Sequence, residues 1–298
     1  MDNHKGEKGS MAEYEKKEQI LGLLEFCNQL KVEERESATI EKYRRDVRKF
    51  LVFVGANSDT MSLTKAIVLE YKSKLQEKYE SSSVNSMLAA VNKFLEFVGR
   101  EDCKVKQVKI QKKTYTQEDK SMTVEEVKIL IKRANEMGKI RVAMMIETIC
   151  GLGLRVSEFS FVTIQAIHKG EIKIHNKGKT RIIPVTKKLG QKLLNYATKC
   201  QITKGAVFIT KNGKNIDRSN FWKEIKKLCE KAGIDEAKGF PHNFRHLFAR
   251  CFYELDKDIV GLASILGHSS IETTRGYTII PYKKFIKKLE TIRQLLLE

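Results

Sequence analysis

Apolar residues recur at helical spacing through the first third of the chain. One set is Ile20, Leu23, Leu24, Cys27 and Leu30; a second is Ile40, Tyr43, Val47, Phe50, Leu51 and Val54; a third is Val84, Met87, Leu88, Val91, Leu95 and Val98. Each set falls on one face of a 3.6-residue helix, so residues 11–103 read as a small all-helical domain. The segments 48–55 (RKFLVFVG) and 92–99 (NKFLEFVG) are alike. Two copies without a sustained period indicate two similar bundle helices, not a solenoid. Residues 104–120 (KVKQVKIQKKTYTQEDK) lose the apolar face and gain lysines, which places an extended basic linker over 104–118.

A second domain is expected over 119–298. It opens at Thr123-Val124-Glu125-Glu126, where a hydroxyl and a carboxylate three residues later satisfy two of the free N–H groups of a new helix. Helical patterns dominate from there. The exception is β-branched: Ile172-Lys173-Ile174 and Arg181-Ile182-Ile183-Pro184-Val185, divided by 175–180 (HNKGKT), predict a hairpin. Ala206–Thr210 predicts a further short strand, with a turn at Lys211-Asn212-Gly213. The chain ends in a predicted helix over 285–297, on which Phe285, Ile286, Leu289, Ile292 and Leu296 form an apolar stripe. The polar residues 1–10 (MDNHKGEKGS), followed by a second methionine at Met11, read as a leader and stay outside the fold prediction.

Composition narrows the partner. Of 298 residues, 56 are Lys or Arg and 37 Asp or Glu, a net charge of +19 that calls for a polyanion. No apolar run approaches the ~20 residues of a membrane span and no secretory signal stands at the N-terminus, so nucleic acid is expected over membrane and a cytoplasmic, nucleoid-associated location follows. The six cysteines (Cys27, Cys103, Cys150, Cys200, Cys229, Cys251) are scattered singly, which suggests neither a disulfide framework nor a zinc site. Two motifs fail on inspection. Gly178-Lys179-Thr180 imitates the end of a phosphate-cradling loop, but Lys173 stands where that loop needs its first glycine. His242 and His246 are one helical turn apart, yet no Glu follows His242 and no third ligand is evident. No cofactor and no metal is therefore expected.

Several groups remain: 153–158 (GLRVSE), the hairpin lysines, 242–246 (HNFRH), and 266–278 (LGHSSIETTRGYT). Two arginines, two histidines, a lysine and a tyrosine are what phosphoryl transfer without a metal needs, because side chains must then neutralise the charge on the phosphoryl oxygens. Arginine suits this, since it keeps its proton and its fork matches a phosphate. In their order and spacing these motifs resemble the tyrosine recombinases, the integrases of phages and mobile elements and the Xer-type resolvases, and the resemblance runs over about 37–298. It implies that Arg155 and Arg245 clamp the scissile phosphate, that His268 donates a further hydrogen bond to it, and that His242 assists proton movement. Tyr277 would be the nucleophile, forming a 3'-phosphotyrosine link and releasing a 5'-hydroxyl. Glu158 would support the site without touching phosphate. The family's general acid is a hairpin lysine. The loop here, 176–181 (NKGKTR), is one residue shorter than usual, so aligning it from the left selects Lys177 and from the right leaves Lys179. Lys177 is the choice made here. His246 reads as a core or backbone-bonding histidine.

The fold class that follows is mainly α: a two-domain clamp with a helical, SAM-like core-binding domain and a mixed catalytic domain carrying a small hairpin. The resemblance further implies a C-shaped grip on duplex DNA, a homo-tetramer assembled on recombination sites, and room for an accessory DNA-bending protein. Ile279 stands where Xer-type members commonly have histidine, which favours a mobile-element integrase. A Xer-type resolvase, a type IB topoisomerase and a non-catalytic DNA-binding regulator are the alternatives; the last would be expected to have lost some of Arg155, Arg245, His268 or Tyr277, and none is lost.

Overall fold

A computed structural model describes residues 22–57, 63–110, 115–116, 121–176, 178–210, 212–277 and 280–297. The leader read at 1–10, Lys177, Lys211 and Ile279 lie outside the described residues. Contacts divide the chain into two compact units, Met1–Lys112 and Lys113–Glu298.

The first unit is helical, as its periodicity predicts. It comprises α1 (22–32), α2 (Ser37–Asn57), α3 (Lys65–Lys78) and α4 (Ser81–Phe97). The two similar segments end α2 and α4, and their equivalent residues Phe50, Leu51, Phe94 and Leu95 are all buried in one core. Phe26 of α1 meets Phe94 edge-on at 5.4 Å, and Phe50 lies 5.2 Å from Tyr71 of α3. Burying each such ring contributes about 1.5–3 kcal/mol, which is how four short helices hold together.

The first part of the expected linker is attached to this unit. Residues 104–110 have no regular structure, yet Val105 is buried and the segment is held by two asparagines of α4. Asn92 donates to Val105 O and accepts from Val105 N (2.8 and 3.1 Å), and Asn85 does the same with Val108 (2.9 and 2.7 Å). Two helical turns separate the asparagines, so each amide stands in for a strand partner along an extended backbone. Composition alone could not show this, because lysines mark exposure of side chains and say nothing of the backbone.

The second unit begins with β1 (Tyr115–Thr116), followed by α5 (Val124–Glu136) and α6 (Ile140–Leu152). The predicted start signal of α5 is realised: Thr123 Oγ1 accepts from Glu126 N (3.1 Å) while Glu126 Oε2 accepts from Thr123 N (2.8 Å). After a 3₁₀ turn at Val156–Phe161 come α7 (Ile164–Lys169), β2 (Glu171–Asn176), β3 (Lys179–Pro184) and α8 (Lys187–Lys199). Then follow α9 (Arg218–Ala232), α10 (Pro241–Asp256), α11 (Ile259–Leu266), α12 (Ile271–Arg275), β4 (Ile280–Pro281) and α13 (Tyr282–Leu297). The core gathers Leu130, Met145, Ile149, Phe159, Phe221 and Phe244 from these helices and Phe208 from the segment between α8 and α9.

Three expected boundaries differ. The hairpin is longer than the β-branched residues suggest, because β2 and β3 pair antiparallel as far as Asn176↔Lys179. Gly178 has φ +71, and cross-strand pairing takes in His175, Asn176, Lys179 and Thr180, polar residues that local propensity reads as loop. The strand expected at Ala206–Thr210 is reduced to isolated bridges, Thr163↔Ala206 and Ile209↔Asn215, since no neighbouring strand extends the ladder. The last helix starts at Tyr282, three residues before the apolar stripe. The described residues also include a two-residue parallel pair, β1 with β4, which no local pattern could foretell.

Candidate active site

The site grows from two helix ends. α6 stops at Gly153 (φ +64) and α11 at Gly267 (φ +66), both in the left-handed conformation that glycine adopts without strain. Gly153 is also required sterically, because a Cβ there would meet the Phe248 ring at 2.5 Å. The last carbonyls of a helix have no partner inside it and carry the negative end of its dipole. Here Arg245 fills both ends: Nη1 donates to Gly153 O (2.6 Å) and Nη2 to Leu266 O (2.7 Å). Arg245 lies on the inner face of α10, one turn from Pro241 and one from Ala249, and is only 1% exposed. Its Nε is a buried donor with no acceptor among the described residues.

Arg155, just past the same glycine, is half-buried and sends Nη1 towards Leu266 O as well (3.4 Å). A single carboxylate organises the group. Glu158, 1% exposed, accepts from Arg155 N (2.8 Å), Arg155 Nη1 (2.9 Å) and Arg181 Nη2 (2.7 Å), and lies 3.9 Å from Arg245 Nη1. Burial pushes its pKa up, but the hydrogen bonds from Arg181 and from the Arg155 backbone, with the Arg181 and Arg155 charges, outweigh it and leave the net shift downward. Glu158 is thus ionised and fixes three cations in place.

Arg181 is the residue the motif reading missed. It packs against Gly267, where an added Cβ would approach its Nη1 to 2.7 Å, and its Nε is likewise a buried donor without an acceptor among the described residues. A signal existed in the hairpin's alternation: Ile183 is buried, so Arg181 two positions earlier shares the inward face, beside Ile174 on the paired strand.

Around these cations stand three imidazoles and the phenol. Tyr277 is buried, with its ring 4.3 Å from His246, 5.6 Å and nearly parallel to His268, and 6.1 Å from His242. Burial and then the Arg155 charge lower the Arg245 pKa, and the neighbouring Tyr277 phenol and Glu158 oppose that shift. His242 is exposed on the first turn of α10, and burial of its surroundings, then Arg245, Arg155 and Arg218, lower its pKa. His268 Nδ1 is 2.9 Å from Thr274 Oγ1 and Nε2 is 3.1 Å from Arg245 Nη2. Burial and then the neighbouring arginines Arg245, Arg155 and Arg181 take its pKa to about 4; burial and then His242 and the arginines Arg250 and Arg245 take His246 to about 4 as well. Both rings are neutral near pH 7. The structure therefore brings together Arg155, His242, Arg245, His268 and Tyr277, with Glu158 beneath them. Lys179 begins β3 with an exposed side chain, and Lys177 lies outside the described residues. Among the described residues no three His, Cys, Asp or Glu side chains gather as a metal site would need, and the His242–His246 pair, rings edge-on at 5.2 Å, stands without a third ligand.

These depressed values set the acid stability. Between pH 6.5 and about 4 the unfolded chain binds protons that His246 and His268 refuse in the folded state, so stability is full above pH 6.5 and declines as pH falls through that window. Glu158 adds a second decline below its ordinary value of 4.5, where its lowered folded pKa is crossed. Urea midpoints measured from pH 7.5 to 4.5 should fall steadily below 6.5, less steeply in His246→Phe; equal slopes in the two proteins would remove His246 from this account.

A mainly helical unit that gathers guanidinium, imidazole and phenol groups in one place carries side chains chemically suited to a phosphodiester. Comparison with known proteins makes the class specific. Residues 120–283 match the phage integrase family and residues 23–102 its N-terminal SAM-like domain. The chain is 31% identical to the tyrosine recombinase XerD of Halalkalibacterium halodurans over 276 residues, 86% of this chain and 92% of that one. It is 32% identical to the tyrosine recombinase XerA of Pyrococcus furiosus over 278 residues, 90% and 92% of the two. Among solved structures, a XerA recombinase superposes with a TM-score of 0.51 at 25% identity, covering 91% of this chain and 98% of that one. A lambda integrase tetramer bound to a Holliday junction shares the fold at TM-score 0.67 and 12% identity, covering 86% and 76%. The chain belongs to the phage integrase family, the tyrosine recombinases, and is a site-specific DNA recombinase.

Proposed function

We propose that Arg155 and Arg245 bind the scissile phosphate, that Tyr277 attacks it, and that His268 and His242 supply a hydrogen bond and proton transfer. The observation that carries this reading is the buried Nε of Arg245, a donor with no acceptor among the described residues, beside a buried phenol. A phosphate oxygen is the acceptor such a group needs. In the reaction the Tyr277 oxygen forms a bond to phosphorus, the bond from phosphorus to the 5'-oxygen breaks, and a proton reaches that leaving oxygen. Lys177 is the donor assigned, with Lys179 the alternative. The phosphodiester energy is kept in the 3'-phosphotyrosine link, so a second 5'-hydroxyl reverses the step without ATP.

In this reading residues 11–103 bind DNA, 104–118 are the basic linker and 119–298 carry the chemistry. The net charge of +19 makes affinity fall steeply with salt. The enzyme works as a homo-tetramer on paired sites, in the cytoplasm with the nucleoid. Support for assembly comes from α13, whose Leu289, Ile292 and Leu296 are 46–75% exposed, an apolar face that a neighbouring copy would cover. Removing 285–298 should abolish cooperative binding to a two-half-site duplex while binding to one half-site changes less than about threefold; unchanged cooperativity in a mobility-shift titration refutes that role.

A mobile-element role rests on Ile279, and the Xer relatives favour chromosome or plasmid resolution as the second reading. One experiment tests both the chemistry and the role. A library of duplexes nicked near the scissile bond is incubated with the full chain, and the DNA that stays attached after denaturation is sequenced. A defined site on a peptide containing Tyr277 supports the proposal. No covalent product excludes it, and attachment without sequence preference, with relaxation of plasmids that lack a site, points to a topoisomerase instead.

A further inference from the structure

His268 is held on both sides, and the two partners differ in kind. A guanidinium has only N–H groups to give, so across the 3.1 Å contact Nε2 accepts from Arg245. On a neutral ring the proton then sits on Nδ1 and is donated to Thr274 Oγ1 at 2.9 Å. The cations Arg245, Arg155 and Arg181 and the His242 ring all face His268, and with burial they hold the ring neutral. Thr274 is fully buried in α12, three residues before Tyr277, and its carbonyl accepts the Tyr277 N–H at 2.9 Å. One residue thus fixes the imidazole with its side chain and the phenol's segment with its backbone.

The role proposed for His268, a donor to a phosphate oxygen, requires the opposite tautomer, with the proton on Nε2. Nδ1 must then find a donor in the place where it had an acceptor. A carbonyl or carboxylate could not serve, because each only accepts. A hydroxyl reverses by rotation about one bond, with no heavy atom moved. We infer that Thr274 is a positioning residue whose hydroxyl lets His268 exchange tautomers when a phosphate oxygen takes its place beside Arg245, while its backbone keeps Tyr277 against the same ring. One proton leaves Nδ1 and one arrives at Nε2 through solvent at the half-buried ring, so the charge does not change.

This inference rests on the phosphate-donor reading of His268, and the test separates the two. The full chain carrying ¹⁵N-labelled histidine is observed by NMR free and, as Tyr277→Phe to prevent cleavage, on a duplex bearing the site recovered by trapping. The free protein should show His268 protonated on Nδ1 and the complex should show it on Nε2. In single-turnover cleavage of the nicked duplex, Thr274→Val should lower the rate about 10- to 100-fold at unchanged duplex affinity, the scale of losing an orienting partner or a weak phosphate donor. Thr274→Ser, which keeps the hydroxyl, should stay within about threefold of the parent. Protonation on Nε2 in the free protein, or Val cleaving as fast as Thr, overturns the inference; the NMR arm needs no Thr274 variant to fold. If His268 remains protonated on Nδ1 in the complex, the donor reading of His268 itself fails.

Discussion

Tyr277→Phe is expected to eliminate the covalent protein–DNA adduct while leaving DNA binding within about twofold. The change removes one oxygen from a ring that is 6% exposed and packed 4.3 Å from His246 and nearly parallel to His268 at 5.6 Å. Phenylalanine fills the same volume and keeps those ring contacts, so the fold and the arginine cluster remain. What it lacks is the atom that would bond to phosphorus. Cleavage should fall by roughly 10⁴-fold or more, about 5 kcal/mol of barrier. The reading is a denaturing gel of the nicked duplex beside a binding titration. An adduct that survives the substitution would falsify the assignment of Tyr277.

The second large effect is expected at Glu158, which touches no DNA in the proposed mechanism. Its carboxylate is the shared counter-charge of Arg155, Arg181 and, at 3.9 Å, Arg245, and it is 1% exposed. Removing one partner of a buried ion pair leaves the other charges desolvated and uncompensated, which costs about 3–5 kcal/mol. Glu158→Ala should therefore lower the unfolding free energy of the unit by that amount, read as a lower urea midpoint at unchanged slope, and cut cleavage severely, since Arg155 loses the carboxylate that holds both its backbone N–H and its guanidinium. Glu158→Gln is the sharper probe. It keeps the shape and one acceptor but turns an amide donor towards guanidinium donors, so it should also lose cleavage at a smaller cost in stability. If Ala unfolds at the parent's midpoint and cleaves at the parent's rate, the carboxylate does not organise the arginines.

Much of this site was legible before any coordinates. The motifs at 153–158, 242–246 and 266–278 named Arg155, His242, Arg245, His268 and Tyr277 as candidates, and the structure brings those side chains together. The helix start at Thr123 was legible for a different reason: both partners of its hydrogen bonds lie within three residues. Arg181 was half-legible. Alternation with Ile183 turns it inward, but nothing in β3 says that a carboxylate waits 23 residues upstream.

The sequence by itself determined the helical units, the hairpin and which residues are candidates for the chemistry, because periodicity, caps and turns are settled by neighbours within one or two turns of chain and the candidate motifs are short. Only the tertiary structure decided how those groups are held. Arg245 meets carbonyls 92 and 21 residues away, Arg155 reaches one 111 residues away, and two asparagines of α4 hold a segment that composition reads as free. Free helix ends and buried charges must find partners, yet which partner each finds depends on how the elements pack, and packing is a property of the whole fold.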